Sequence, residues 1–152
     1  MRAFALGSLV ALMTVPSAAQ APQREEIKIS EFYVREDESE GDRVVHNVGF
    51  KLTGRDATDL SCSTTNPVFP RPTQAATCGN SKYRFSLHPG TDNSDFALMI
   101  YHEMGTGVSL WGQGNVPSIC RAGGAGQDDY VCNQVGGPTT IVIDSTLPPV
   151  DH

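Results

Sequence analysis

The chain has 152 residues, with 17 acidic against 11 basic residues and a formal net charge of −6. That length suits one domain. The acidic balance lacks the clustered Lys and Arg of a nucleic-acid footprint or of docking on anionic lipid, so neither nucleic acid nor membrane is expected as a partner.

The N-terminus sets the compartment. Arg2 leads, an apolar run of about 12 residues follows from Phe4 to Val15, and Pro16-Ser17-Ala18-Ala19 ends in small residues. This is the layout of a secretory signal, and the run is well short of the roughly 20 residues of a membrane span. Residues 1–19 are therefore read as a signal peptide and the protein as secreted and extracellular. Export places the four cysteines in an oxidising environment, where they should pair. Their spacing contains no C-x-x-C, and no paired histidines stand nearby, so zinc is not expected. Residues 20–26 read as a loose polar arm, residues 27–145 as a single domain, and residues 146–152 as a tail carrying Pro148 and Pro149.

Period-two alternation then recurs along the chain. Ile27 and Ile29, followed by Phe32, Tyr33 and Val34, predict a strand. The acidic run from Glu36 to Asp42 reads as a solvated hairpin loop. Val44, His46, Val48, Phe50 and Leu52 form the clearest alternation, which puts His46 on the apolar face as a core or barrel-lining residue. Thr58, Leu60, Cys62 and Thr64 alternate next. Three prolines between Asn66 and Pro72 exclude a central strand and predict a rigid, extended loop.

Tyr83, Phe85 and Leu87 predict another strand, and His88 to Ser94 is turn chemistry. Phe96, Leu98, Ile100 and His102 share one face of the strand that follows. Val108 and Leu110 pair back onto it. Trp111 reads as a barrel-filling ring, with a binding hot spot as the alternative. Cys120 opens a glycine-rich turn, residues 129–134 form a short strand carrying Cys132, and residues 139–144 form the last strand. Seven or eight short strands separated by Gly, Pro and Asn turns predict an all-β, compact antiparallel barrel or sandwich.

No nucleophile–base pair, metal set or cofactor motif stands out. G-x-S-x-G is absent, and His102 and Glu103 point to opposite faces of a strand, so they cannot work on one atom together. Asp92, Asp95, Asp128 and Asp129 lie in turns without a calcium-loop pattern. No catalytic residue, metal ligand or cofactor is expected.

Several stretches in order carry a resemblance: Lys28-Ile29-Ser30-Glu31-Phe32-Tyr33, Asn47-Val48-Gly49-Phe50, Leu60-Ser61-Cys62, Thr77-Cys78-Gly79, and Cys120-Arg121-Ala122-Gly123-Gly124 through Val131-Cys132. With them the chain resembles the family of the major allergen of Alternaria, a family of fungal secreted proteins. The resemblance implies a compact β-barrel with bridges Cys62–Cys78 and Cys120–Cys132. It also implies action outside the cell, as allergens and as elicitors of plant defence, with thaumatin-like defence proteins as partners of some relatives. It supplies no catalytic residues. The founding allergen links two chains through a cysteine near its mature N-terminus. Here Ala21 to Glu26 contains none, so a monomer or a non-covalent dimer is expected.

The resulting expectation is a non-enzymatic effector that binds extracellular host proteins, with Arg121 and Trp111 as candidate contact residues. The alternative is a carrier of a small apolar or phenolic ligand in the barrel or at a dimer interface, lined by His46, Tyr101 and Trp111. A glycan-active enzyme using a carboxylate pair is a third reading.

Overall fold

The computed structural model describes residues 23–145. The expected signal peptide, the first residues of the arm and the expected tail lie outside the described residues. Ten strands form: β1 (Arg24–Ser39), β2 (Asp42–Gly54), β3 (Ala57–Thr65), β4 (Ala76–Thr77), β5 (Tyr83–Pro89), β6 (Phe96–Gly105), β7 (Val108–Asn115), β8 (Ser118–Ala122), β9 (Asp129–Gln134) and β10 (Thr139–Asp144). Their hydrogen-bonded order is β3-β2-β1-β10-β7-β6-β5-β4, and the β8–β9 hairpin adds to β1. All pairings are antiparallel. The result is a nearly closed antiparallel barrel of eight strands. The Cys62–Cys78 disulfide ties β3 to the chain just past β4, across the seam where the ring fails to close.

β1 is the spine. Its first half pairs with β10 from Arg24 to Ile29, and its second half pairs with β9 from Tyr33 to Asp37. β2 lies along its other side. This corrects two expectations. Arg24, Glu25 and Glu26 belong to the spine and not to a loose arm, and Glu36 to Ser39 continue the strand instead of forming a loop. In both places the partner strand decides, because β10 and β9 supply backbone partners that composition alone does not reveal.

Two bulges set which side chains face inward. Between Ser30 and Tyr33 the register with β2 slips, and Glu31 takes a left-handed φ of 53°. Ile27 and Ile29 are buried before the slip, and Phe32, Val34 and Glu36 after it. A second slip sets Arg35 opposite Asn47 and Glu36 opposite Val45, which leaves His46 as the extra residue of β2. The uninterrupted alternation expected there is therefore broken. Val45 is buried while Val44 is 55% exposed, and His46 turns away from the core to meet Asp37.

The interior is filled by Phe32, Phe50, Phe85 and Phe96 with Ile, Leu and Val from every long strand. Phe50 and Phe85 meet edge-on at 4.8 Å, and Phe32 lies 6.0 Å from Phe96. Burying each such ring stabilises the fold by about 1.5–3 kcal/mol. Leu110 takes the inward place on β7, so Trp111 faces outward, beside Tyr101 of β6 in register. The indole does not fill the barrel, since neighbours on a strand point to opposite sides.

Candidate functional site

A barrel satisfies its backbone around the wall but leaves two ends facing water. In this chain a buried carboxylate closes each end, and both carboxylates come from β1.

At one end stands Glu36, whose side chain is 2% exposed. Arg43 of β2 donates to both of its oxygens, from Nε at 3.0 Å and from Nη2 at 2.9 Å. The guanidinium lies 4.7 Å from the ring of Phe96 and 5.2 Å from that of Phe69. Phe69 belongs to the proline-rich segment and packs on Phe96 at 5.8 Å. The Asn66 amide of that segment donates to the His46 carbonyl at 2.8 Å. Arg43 therefore anchors the loop of residues 66–75, whose base is stapled by Cys62–Cys78.

The glycine-rich loop of residues 123–128 reaches the same end. Cys120 and Cys132 stand directly opposite one another in the β8–β9 hairpin and are bridged. Cys132 Sγ lies 3.7 Å from the Glu36 carboxylate. Both sulfurs belong to the disulfide, so their proximity to Glu36 offers no metal site. Below the loop, Asp129 is 4% exposed and accepts from Arg35 Nε at 3.1 Å, from Arg35 Nη2 at 3.0 Å and from the Ala125 amide at 3.0 Å. The Arg35 hydrogen bonds, followed by that from Ala125, hold the Asp129 carboxyl below its usual range, and in turn raise the Arg35 guanidinium. A side chain on Gly123 would collide with the Asp129 carboxylate, so the close approach requires glycine. Asp129 looks like a turn acid in the sequence, yet it holds the loop from inside. Residues 121–128 are all exposed.

The two stapled loops thus converge on one end, joined beneath by the Arg43–Glu36 pair. Arg121 projects from β8 beside the second staple, and its side chain makes no hydrogen bond or ion pair among the described residues. Trp111 is not brought to this place. It lies on the barrel flank, paired in register with Tyr101 and Asp144, and its indole nitrogen is shielded without an acceptor among the described residues. His46, Tyr101 and Trp111 all turn away from the interior, so the residues expected to line a ligand site inside the barrel do not enclose one.

At the opposite end the buried carboxylate is Glu25. Its Oε1 accepts from the Tyr83 hydroxyl at 2.6 Å and from the Arg55 amide at 2.6 Å. Its Oε2 lies 2.6 Å from His102 Nδ1. Tyr83 also accepts from the Asp56 amide at 3.1 Å and stacks on the His102 ring at 3.9 Å. Burial would raise the Glu25 carboxyl, but the hydrogen bonds from Tyr83, Arg55 and His102 outweigh it and hold the group below its usual range. Burial first, then the bond to Glu25, pushes the Tyr83 hydroxyl well up. A cavity of about 750 Å³ opens above, lined by Asp56, Lys82, Tyr83, His102 and Glu103 among others.

Neither carboxylate is among the site residues expected from the sequence. A signal was present: Glu25 is in phase with Ile27 and Ile29, so period-two alternation turns it to the core side, where a carboxylate needs a partner.

The model of the family described as Alternaria alternata allergen 1 matches residues 29–132. The chain belongs to the Alternaria alternata allergen 1 family. Among relatives, the effector protein PevD1 of Verticillium dahliae is 44% identical over 142 residues, covering 91% of this chain and 86% of its own length. A crystal structure of the Alternaria alternata major allergen Alt a 1 superposes with a TM-score of 0.59 at 31% identity, covering 82% of this chain and 96% of the allergen. A second crystal structure of Alt a 1 gives the same TM-score at 27% identity, covering 86% and 94%. The family match spans both staples, Arg121 and His102, while Glu25 lies just outside it.

Proposed function

We propose that the chain is a secreted, non-enzymatic effector that binds extracellular host proteins through its two stapled loops and so triggers defence responses. One observation carries this reading: loops 66–75 and 123–128 meet at one end of a rigid barrel. Each is closed by a disulfide, and they are anchored through Phe69 and Asp129. Pinned loops lose less entropy on docking, and a rigid frame places recognition on its loops. The effector description of PevD1 and the allergen description of Alt a 1 support the same class. Arg121 is the unengaged cation beside the second loop and would pair with a carboxylate on the partner. Thaumatin-like defence proteins with acidic surfaces fit that chemistry.

The experiment infiltrates leaves with wild-type protein and with variants whose 66–75 or 123–128 segment is scrambled. Circular dichroism verifies that each variant folds. Both variants should lose most of the response and fail to retain the apoplastic proteins that wild type retains. Full response and unchanged capture by both folded variants would move the function to the barrel flank.

A further inference from the structure

We propose that the barrel end opposite the stapled loops is a binding site for a divalent transition-metal ion, with His102 Nε2 and Asp56 Oδ2 as its protein ligands. The argument begins with the ring. A histidine that ligates a metal through one nitrogen almost always gives its other N–H to a carboxylate, which fixes the tautomer and strengthens the donor. His102 is held in this way: Nδ1 lies 2.6 Å from Glu25 Oε2, and both side chains are about 2–3% exposed. Glu25 is itself fixed by the Tyr83 hydroxyl and the Arg55 amide. Stacking on Tyr83 fixes the ring plane. Glu25 and Tyr83 thus fix the ring so that Nε2 is the nitrogen left facing Asp56 and the cavity.

That nitrogen faces Asp56 Oδ2 at 3.2 Å, and the Asp56 side chain is 60% exposed at the cavity mouth. A tetrahedral ion with Zn–N and Zn–O distances near 2.0–2.1 Å places two of its ligand atoms about 3.3 Å apart. The observed 3.2 Å separation is that of a direct ion-pair contact and also matches that bite, so the ion would replace the direct contact. Asp56, Glu103 and buried Glu25 oppose the single positive charge of Lys82 around the cavity, so its electrostatics favour a cation. An imidazole nitrogen with a carboxylate oxygen suits zinc or copper better than calcium or magnesium, which prefer all-oxygen sets. The remaining coordination positions open into the cavity, where water or a donor group of a bound molecule completes them.

The test uses the folded, untagged chain with both bridges intact, labelled with ¹⁵N. Zinc chloride is the probe and magnesium chloride the control, followed through the imidazole nitrogen resonances. Zinc should move His102 Nε2 saturably while Nδ1 keeps its bonded shift, and magnesium should move neither. Asp56→Asn, on an exposed turn, alters one of the two proposed ligands and should weaken the zinc response at least about tenfold while leaving the fold intact, since losing even a supporting partner of a ligand costs roughly 10–100-fold. The exposed pair His46–Asp37, at 2.8 Å, is a competing surface site, so Asp37→Asn should leave the His102 response unchanged. A His102 resonance that stays fixed at millimolar zinc, or an Asp56→Asn variant that binds as tightly as wild type, would overturn the proposal.

Discussion

Asp129 and Tyr83 show how much rests on single polar groups at the two barrel ends. Arg35 and the Ala125 amide bind the Asp129 carboxylate and not its protonated form, so its folded-state pKa is depressed. Such a group stabilises the fold fully above its unfolded pKa, about 3.9, and the contribution is lost as pH falls through the folded value. Asp129→Asn should therefore lower the urea midpoint at neutral pH, and the gap to wild type should shrink once the pH drops below about 4. A gap independent of pH would mean that shape, not charge, holds the loop. At the other end, Tyr83→Phe keeps the ring stack on His102 but removes a donor to Glu25 and an acceptor for the Asp56 amide. Leaving those groups short of a partner should cost about 1–3 kcal/mol in chemical denaturation, with the denaturant slope unchanged. Gly54 makes the same point sterically. A Cβ there would sit 2.7 Å from both Glu25 Oε1 and the Tyr83 hydroxyl, so even alanine should disturb the cluster.

At the scale of elements, the two staples have different tasks. Cys62–Cys78 spans the seam between the two ends of the strand path, whereas Cys120–Cys132 braces a hairpin already paired along its length. The sequence separations of 16 and 12 residues are similar. The unfolded-chain term is therefore about 3 kcal/mol for either. Hydrogen exchange should separate them. Paired serine substitution at Cys62 and Cys78 should speed exchange in β3 and β5, while the same change at Cys120 and Cys132 should speed it chiefly in β8 and β9. Equal and global effects would show that the seam is not a separable weak point. Most strands were legible from alternation: β2, β5, β6 and β10 all announce themselves, as does the loop imposed by three prolines. The bulges at Glu31 and His46 were not legible, because a slip in phase is decided by the partner strand. β4 has two residues and β8 has five, too few for a period. The meeting of the two stapled loops was hidden for a related reason. It depends on Arg43 finding Glu36 and Phe69, contacts fixed by the closed sheet and not by neighbours in sequence.

For the molecule as a whole, the loop end and the cavity end are separated by an apolar interior, and each has its own polar cluster. Distant sites without shared partners behave additively. Asp56→Asn should thus leave the leaf response within error of wild type, and scrambling loop 123–128 should leave the zinc response at His102 unchanged. Coupling between the ends, seen as a response that depends on zinc, would require the barrel to transmit strain along β1. The placement of the staples has a further consequence wherever proteases attack exposed backbone. The exposed loops 66–75 and 123–128 each lie inside a covalent ring, closed by Cys62–Cys78 and by Cys120–Cys132 respectively. A single cut in either ring adds one water but releases no fragment. Nicked protein should migrate as one band on a non-reducing gel and separate into pieces only after reduction. The barrel, with its hydrogen-bonded strands intact on both sides of the cut, should keep its fold after the loop has been opened.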